Sequence, residues 1–332
     1  MNIDPDAPAS LEDGLFGLGV SPMAAAVTVI PVPWQATTSY RRGTASAPLA
    51  VLEASLQVDL HDRVTGSAWQ AGIAMLPMPL VDWDAEAEGA ALQVIQAGGA
   101  HTPELAVAAQ SVDQIGEQVR AWVYAHARDV LARGGIPAVL GGDHSCPLGL
   151  MQAIGERGDF GVLHIDAHAD LRVAYEGFEL SHASIFHNVL ERVTSCTKLV
   201  QVGIRDFGKA EAAAIAADER IHTFFDADLA WERAQGSTWM SQVERILAPL
   251  PQRVYLSVDI DGLQPELCPN TGTPVPGGLS WDQFTVLLRA LEESGRQILG
   301  FDLCEVGPGQ WDAIVGARAL YRLACHAIGS RG

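Results

Sequence analysis

The stretch Gly161-Val162-Leu163-His164-Ile165-Asp166-Ala167-His168-Ala169-Asp170 decides how this chain folds. Its first half is a short apolar run of the length expected for a buried strand. Its second half places a carboxylate or an imidazole at every second position. In an extended segment such alternate residues project to one side, so Asp166, His168 and Asp170 share a face. The stretch therefore predicts a strand with a polar site at its carboxyl end, where parallel sheets bind their ligands.

Two further stretches repeat this arrangement. Leu256-Ser257-Val258 is followed by Asp259-Ile260-Asp261, and Val139-Leu140 is followed by Gly141-Gly142-Asp143-His144-Ser145. Two unit charges 4 Å apart repel by about 4 kcal/mol at an effective dielectric near 20, so carboxylates gathered in one cleft need protons or cations. The histidines among these aspartates favour cations. The pattern predicts a two-metal hydrolytic site.

The rest of the chain alternates short apolar runs with longer helical segments. The predicted strands are Val27–Val32, Ile73–Pro77, Ala138–Leu140, Gly161–Ile165, Leu199–Gly203, His222–Phe225, Val254–Val258 and Ile298–Leu303. The predicted helices are Ala47–Gln57, Glu104–Ala132, Leu148–Glu156, Ser184–Arg192, Lys209–Ala217, Thr238–Leu247, Trp281–Glu293 and Asp312–Ala327. This alternation predicts an α/β fold with three layers, α/β/α, around a mostly parallel eight-stranded sheet.

The first 25 residues are rich in Pro, Asp and Gly and predict a surface arm, so residues 26–332 would form a single catalytic domain. The formal net charge of -19 disfavours nucleic acid and anionic membranes as partners, since both require a basic surface. No apolar run approaches the roughly 18 residues needed to span a bilayer, and no basic leader is visible. The five cysteines are scattered singly, which suggests neither a disulfide framework nor a thiolate zinc site, and the cytoplasm is the expected compartment.

The motifs resemble those of the ureohydrolase family, which includes arginase and agmatinase. The resemblance runs from Ser39-Tyr40-Arg41-Arg42-Gly43 to Glu305-Val306-Gly307-Pro308 and includes the loop Thr271–Gly278. It implies an arginase-like fold with two divalent metal ions, Mn²⁺ in most members and Ni²⁺ as the alternative. By this resemblance Asp166 and Asp259 would bridge both ions. His144 and Asp170 would complete one metal site, and His168 and Asp261 the other.

The resemblance also implies an activity. It is that of an agmatinase-like amidinohydrolase, which cleaves a C–N bond of a small cationic guanidino compound and releases an amine with urea or a urea analogue. The attacking group would be a hydroxide that bridges the two ions. Asp170 resembles the aspartate that passes a proton to the leaving nitrogen, Glu305 the carboxylate that pairs with the guanidinium, and His182 a histidine placed near the substrate. Asp143 and Ser145 are expected to support the ligands by hydrogen bonds.

The loop between the metal motif and His182 departs from the arginase pattern. Arginases carry an asparagine where this chain has Arg172, so arginine itself is disfavoured as the substrate. Arg172 would either contact a substrate carboxylate or pair with Glu176 or Glu179. Tyr175 and Phe178 would either narrow the substrate pocket or pack within the loop. These alternatives stay open at the level of sequence.

Several readings of the function also stay open. The altered loop suits a hydrolase of free guanidine or of a biguanide such as dimethylbiguanide, with nickel as the metal. A non-catalytic subunit that partners an active paralogue is disfavoured because no ligand is missing. A histone-deacetylase-like protein would hold one zinc with fewer aspartates. By resemblance, the chain is expected to form a homo-oligomer, a trimer or a hexamer.

Overall fold

A computed structural model describes Asp4 and residues 7–331 of the chain. At its centre lies an eight-stranded sheet in the order β2-β1-β3-β8-β7-β4-β5-β6, and every neighbouring pair of strands is parallel. The strands are β1 Val27–Val32, β2 Ile73–Met75, β3 Ile136–Gly141, β4 Phe160–Ile165, β5 Cys196–Ile204, β6 Ile221–Phe225, β7 Arg253–Asp259 and β8 Gln297–Cys304. All eight strands were predicted from the sequence.

Helices cover both faces of the sheet. They are α1 Ala47–Ser55, α2 Trp83–Gln96, α3 Pro103–Ala132, α4 Leu148–Gly155, α5 Ile185–Arg192, α6 Lys209–Ala217, α7 Asp226–Ala234, α8 Trp239–Leu247, α9 Trp281–Glu293 and α10 Gln310–Gly329. One apolar core packs α1 and α7 to α10 on one face, and a second core packs α2 to α6 on the other. Strands that are covered on both faces have continuous apolar sequences, because every side chain is buried. In β1, β3 and β4 every residue is buried. The predicted three-layer α/β/α fold is confirmed.

Two helices were not predicted, α2 and α7. The buried stripe of α2 includes Ala87 and Ala91, whose small side chains give a weak apolar signal. The buried residue of α7 is Leu229, in a segment that is otherwise mostly charged or small. Periodicity reveals a helix only when its buried face carries large apolar side chains.

The expectation of a surface arm over residues 1–25 needs correction. Residues 1–3, 5 and 6 lie outside the described part of the chain, but Leu15, Phe16 and Leu18 are buried. The Phe16 ring lies edge-on to Tyr321 of α10 with ring centroids 5.1 Å apart, and its backbone N–H donates to Ser55 Oγ at 3.0 Å. The prediction rested on the Pro, Asp and Gly content and overlooked these apolar side chains, whose burial stabilises the fold.

The strand order brings the polar motifs together. The neighbours β3, β8, β7 and β4 form the middle of the sheet, and their carboxyl ends lie along one edge because all are parallel. These four ends carry His144, Glu305, Asp259 and Asp166, so residues up to 161 positions apart in sequence meet there. Among the described residues, no helix is both long and apolar enough to cross a membrane.

Candidate metal centre

One half of the centre surrounds His144, which follows β3. Its Nδ1 atom lies 3.0 Å from Asp166 Oδ2, 3.1 Å from Asp170 Oδ2 and 3.5 Å from Asp259 Oδ2. All four side chains are buried. Three carboxylates therefore point at a single ring nitrogen inside the protein.

The other half surrounds His168. Its Nδ1 atom lies 3.1 Å from Asp261 Oδ2 and 3.5 Å from Asp166 Oδ1. Asp166 thus directs one oxygen at each histidine and belongs to both halves. Backbone N–H groups fix the neighbouring carboxylates: Ala167 N donates to Asp261 Oδ1 at 3.1 Å, and Asp261 N donates to Asp259 Oδ1 at 2.9 Å. The structure brings all six predicted ligands together.

Two positions in the centre have left-handed backbone conformations, which non-glycine residues rarely adopt. The φ angles are 54° at Asp170 and 60° at Glu305. Such a conformation costs on the order of 1–3 kcal/mol and persists only where the surroundings enforce it. Phe186 N donates to the Asp170 carbonyl at 3.0 Å, and Thr271 Oγ1 donates to the Glu305 carbonyl at 2.7 Å. The protein accepts local strain in order to aim these two carboxylates.

The electrostatics show more buried carboxylates than the two imidazoles can compensate. Burial and then the negative charge of Asp166 raise the pKa of Asp170 to about 7. Burial and then the charges of Asp261 and Asp166 raise the pKa of Asp259 well above its usual value. Burial opposes protonation of His168, yet the charges of Asp261 and Asp166 still raise the pKa of that imidazole. Cations placed among these groups would relieve the repulsion.

The donor set fits two divalent metal ions. His144, Asp166 and Asp170 each offer a ligand atom within one group, and Asp166, His168 and Asp261 do so in a second, all within 4.8 Å of one another in each group. Carboxylate oxygens with a few imidazole nitrogens suit Mn²⁺ and Ni²⁺, whereas thiolates would indicate zinc. The five cysteines are buried, and neither of these two groups includes one.

A hydrogen-bonded network behind His144 determines which ring nitrogen is free. Ser257 Oγ donates its one proton to Asp302 Oδ2 at 2.8 Å. The 3.0 Å hydrogen bond between Ser257 Oγ and His144 Nε2 is therefore donated by the imidazole. Nδ1 is then the ring nitrogen that faces the carboxylates and would bind a metal ion; burial opposes protonation of the metal-free ring, yet hydrogen bonds to Asp166 and Asp170 raise the pKa of His144. Tyr255 also donates to Asp302 Oδ2, at 2.7 Å. Such partners behind a ligand commonly orient it and tune metal affinity.

Two side chains of this supporting layer were missed by the sequence analysis. His164 Nε2 lies 2.7 Å from Asp166 Oδ2, and Gln201 Nε2 lies 3.1 Å from His164 Nδ1. Ser257 was likewise given no role. The period-two rule could have identified Ser257 and His164, since each precedes a ligand by two residues and shares its side of the strand. Nothing local in the sequence points to Gln201, which β5 supplies.

Glu305 provides an unpartnered oxygen beside the centre. Its Oε1 accepts the backbone N–H of His144 at 3.2 Å, whereas Oε2 is buried without a hydrogen-bond partner among the described residues. Burial and then the charges of Asp143 and Asp261 raise the pKa of Glu305 well above its usual value. A Cβ atom on Gly272 would lie 3.1 Å from Oε2, so the glycine keeps the space beside that oxygen open. An unpaired buried carboxylate oxygen of this kind is ready for a cationic ligand.

A cavity of about 450 Å³ leads from the surface to the centre. It is lined by Ser39, Tyr40, Arg41, His168, Asp170, Arg172, Tyr175, His182, Ala183, Asp206, Glu211, Thr273, Pro274 and Val275. The predicted substrate residues Arg172, Tyr175 and His182 therefore share one wall with two of the ligands.

The partner expected for Arg172 was wrong. Its Nε atom lies 3.5 Å from Glu211 Oε2, and neither Glu176 nor Glu179 pairs with it among the described residues. Glu211 lies close to Arg172 because its carboxylate also binds the backbone next to that residue. It accepts hydrogen bonds from Leu171 N at 3.1 Å and from Gly208 N at 2.7 Å. The Arg172 guanidinium also lies over the Tyr175 ring, 4.7 Å from its centroid.

Two of the loop alternatives are resolved by burial and contact. Phe178 is fully buried and packs within the second core, so it does not narrow the cavity. Tyr175 lines the cavity and meets the His182 ring edge-on, with centroids 5.9 Å apart.

His182 is held as a neutral ring. Burial and then the nearby His168 and His144 lower the pKa of His182 to about 4. Its backbone N–H donates to Thr37 Oγ1 at 3.2 Å, and that hydroxyl also donates to Asp143 Oδ2 at 2.9 Å. Asp143 therefore acts on His182 through Thr37. It also accepts Ser145 N at 3.0 Å, so it supports the centre from behind.

A sequence profile described as the arginase family matches residues 25–329. The chain belongs to the arginase family. It is 34% identical over 319 residues to the N(1)-aminopropylagmatine ureohydrolase of Thermus thermophilus, covering 93% of this chain and 91% of that enzyme. The fold matches a hypothetical agmatinase from Burkholderia thailandensis with a TM-score of 0.70 at 25% identity, over 93% of this chain and 86% of that one.

A third likeness concerns the fold alone. The structure of a variant of the Trypanosoma cruzi formiminoglutamase with Mn²⁺ matches with a TM-score of 0.71 at 18% identity, over 94% of this chain and 96% of that one. The family expected from the motifs is confirmed by the profile match and by the Thermus thermophilus relative.

Proposed function

We propose that this arginase-family chain is a metal-dependent amidinohydrolase that cleaves a C–N bond of a small guanidino compound, in the manner of an agmatinase. The observation that carries the proposal is the convergence of four aspartate carboxylates on the Nδ1 atoms of His144 and His168, next to the unpartnered Oε2 of Glu305. The Thermus thermophilus relative is named for a substituted guanidine, N(1)-aminopropylagmatine, which supports the same substrate class here.

Two divalent ions would be held by the six ligands, with Asp166 and Asp259 shared between them. Ions bound there would supply Lewis-acid chemistry and make a strong nucleophile available from water near neutral pH. We propose Mn²⁺ as the metal, because the donors are mostly oxygen and a relative of the same fold was solved with Mn²⁺. Nickel is the alternative that the same donors would accept.

Glu305 is the residue we assign to orienting the substrate. A guanidinium is planar and carries its charge over several N–H groups, and a carboxylate matches it in both charge and geometry. The Oε2 atom of Glu305 is free to accept such an N–H, while Oε1 remains bonded to the His144 amide. A bound guanidinium would also compensate the buried negative charge of Glu305.

Asp170 and His182 are the residues we assign to proton transfer. Hydrolysis of a guanidinium joins the oxygen of water to the central carbon, breaks the bond to the leaving nitrogen and moves both water protons to that nitrogen. Asp170, with a pKa near neutrality in the metal-free site, can accept and return a proton. The neutral ring of His182 lines the same cavity and can carry the second one.

A second candidate substrate is guanidine itself or a biguanide, with nickel as the metal. The observation that favours it is the Arg172 side chain, which lies over Tyr175, while Tyr175 meets the His182 ring edge-on and all three residues line the cavity. A short substrate would fit such a wall better than a long polyamine.

The test is metal reconstitution followed by a substrate panel. Metal-free protein is loaded separately with Mn²⁺ and Ni²⁺ and assayed on agmatine, 4-guanidinobutyrate, guanidine and dimethylbiguanide. We expect about two ions per chain and release of urea or a urea analogue. Folded protein that binds no metal, or that turns over none of the four compounds with either metal, contradicts the proposal.

We further propose that residues 26–332 act as one catalytic domain in a homo-oligomer, a trimer or a hexamer, in the cytoplasm. Sedimentation of the purified chain tests the assembly. A monomer that gains activity only with a second, paralogous chain would instead support the partner-subunit reading.

A further inference from the structure

Thr37, in the loop after β1, contacts His182, which lines the cavity together with His168 and Asp170. Thr37 is fully buried, and its Oγ1 atom lies 3.2 Å from His182 N and 3.3 Å from His182 Nδ1. The two residues are 145 positions apart in sequence. One hydroxyl therefore contacts both the main chain and the ring of the same histidine.

The Thr37 hydroxyl is itself firmly anchored. Asp143 Oδ2 accepts from it at 2.9 Å, and Asp143 Oδ1 accepts from Ser145 N at 3.0 Å and Ser145 Oγ at 2.5 Å. Trp34, also buried, donates from Nε1 to Ser145 Oγ at 3.1 Å. The chain of hydrogen bonds thus extends from Trp34 and Ser145 through Asp143 and Thr37 to the histidine.

The other contacts of His182 come from its own segment. Ser181 Oγ lies 3.3 Å from His182 Nδ1, and it accepts the backbone N–H of Ala183 at 3.3 Å. Tyr175 meets the ring edge-on from the loop that precedes it. Ser181 and Tyr175 would therefore move together with His182, whereas Thr37 fixes the ring relative to the sheet that carries the metal ligands.

We propose that Thr37 is a positioning residue that holds the His182 ring at the distance from the reacting atoms that proton transfer requires. The inference rests on the proposed function, in which His182 carries a proton. A displacement of about 1 Å in a catalytic group can lower a rate by as much as 10²-fold, so one hydroxyl can control turnover without touching the substrate.

The test compares three variants. Thr37→Val removes the hydroxyl and keeps the shape, whereas Thr37→Ser keeps the hydroxyl. Thr28→Val is the matched control, because Thr28 is also fully buried, donates to Pro22 O at 3.1 Å and accepts from Arg133 at 2.9 Å at the start of β1. Both valine variants lose a buried hydrogen-bonded hydroxyl, but only one of the two hydroxyls contacts His182.

We expect Thr37→Val to lower kcat at least about tenfold with KM and metal content unchanged. Thr37→Ser should retain wild-type kcat within about threefold, and Thr28→Val should lower only the melting temperature. The proposal is overturned if Thr37→Val keeps the wild-type kcat. It is also overturned if kcat falls as far in Thr37→Ser or in Thr28→Val as it does in Thr37→Val. Should the valine variant not fold, Thr37→Ala makes the same comparison without adding a methyl group.

Crystal structures of the wild type and Thr37→Val provide a readout that does not depend on turnover. We expect the His182 ring to rotate or lose its fixed position in the variant, and an unchanged ring overturns the positioning role. If the wild type is inactive on every guanidine tested but the His182 ring is still released in the Thr37→Val structure, the proposed function is overturned and the positioning role is not.

Discussion

The carboxylate of Glu305 and the backbone of His144 are joined by a 3.2 Å hydrogen bond from His144 N to Glu305 Oε1. This bond ties the end of β8 to the end of β3, two neighbours in the sheet. It occupies one carboxylate oxygen and leaves Oε2 buried and unpaired within the described part of the chain. One side chain thus holds the loop that carries His144 in place and keeps an unpaired acceptor beside the centre.

Glu305→Gln should separate activity from stability. The amide keeps an oxygen for His144 N but loses the charge, so we expect kcat/KM to fall by about 10²–10³-fold, since charge-assisted pairs are the strong ones. In the metal-free protein the same change should raise the melting temperature, because the amide removes the cost of either burying the carboxylate charge or protonating it on folding. Steady-state kinetics and calorimetry measure the two effects. Wild-type kcat/KM in this variant would exclude Glu305 from substrate binding; Glu179→Gln, on the exposed loop, serves as the control.

Asp166 and His168 should differ in how many ions they control. Asp166 directs one oxygen at each histidine, so Asp166→Asn should abolish binding at both metal positions. His168→Asn should remove one position and leave the group around His144 able to bind. Metal analysis after dialysis gives the stoichiometry directly. If Asp166→Asn retained two tightly bound ions, the centre would not be shared in the manner proposed.

The sequence predicted most of the centre because its ligands follow strands in a simple pattern. The period-two spacing identifies Asp166, His168 and Asp170 as candidate ligands, and Asp259 and Asp261 have the same spacing. The eight strands were found for a related reason, since buried parallel strands are continuous apolar runs with little ambiguity. Features that depend only on neighbouring residues in the sequence could therefore be predicted.

The remainder depends on contacts between distant segments. The pairing of Arg172 with Glu211 joins the loop to α6 and competes with closer glutamates, so no local rule selects it. Thr37 and Gln201 acquire their partners only when β1 and β5 take their places in the sheet. The burial of Phe16 against Tyr321 joins the two ends of the chain. Such contacts follow from topology, which spacing rules do not encode.

The network behind His144 predicts a contrast between two hydroxyls. Ser257→Ala removes the acceptor of the Nε2 proton and should weaken metal binding by about 10–100-fold. Tyr255→Phe removes a hydrogen bond to the same Asp302 but does not touch His144, so it should cost about 1 kcal/mol of stability and leave metal affinity unchanged. Competition with a chelator measures the affinity, and denaturant titration measures the stability. Equal metal affinity in the two variants would show that the serine does not set the ring.

The lowered pKa of His182 predicts a stability that depends on pH. The folded site binds a proton at this ring only near pH 4, whereas an unfolded histidine does so near its usual pKa of about 6.5. As the pH falls from about 6.5 to about 4, the unfolded chain takes up a proton that the folded site refuses, so this group destabilises the fold. His182→Asn cannot titrate and should lose less stability over that window than the wild type. Unfolding free energies of the metal-free proteins at several pH values test this, with His61→Asn, on the outside of the fold, as the control. Parallel pH curves for the wild type and His182→Asn would mean that folding does not lower the pKa of this ring, and would contradict a ring held neutral by its buried surroundings.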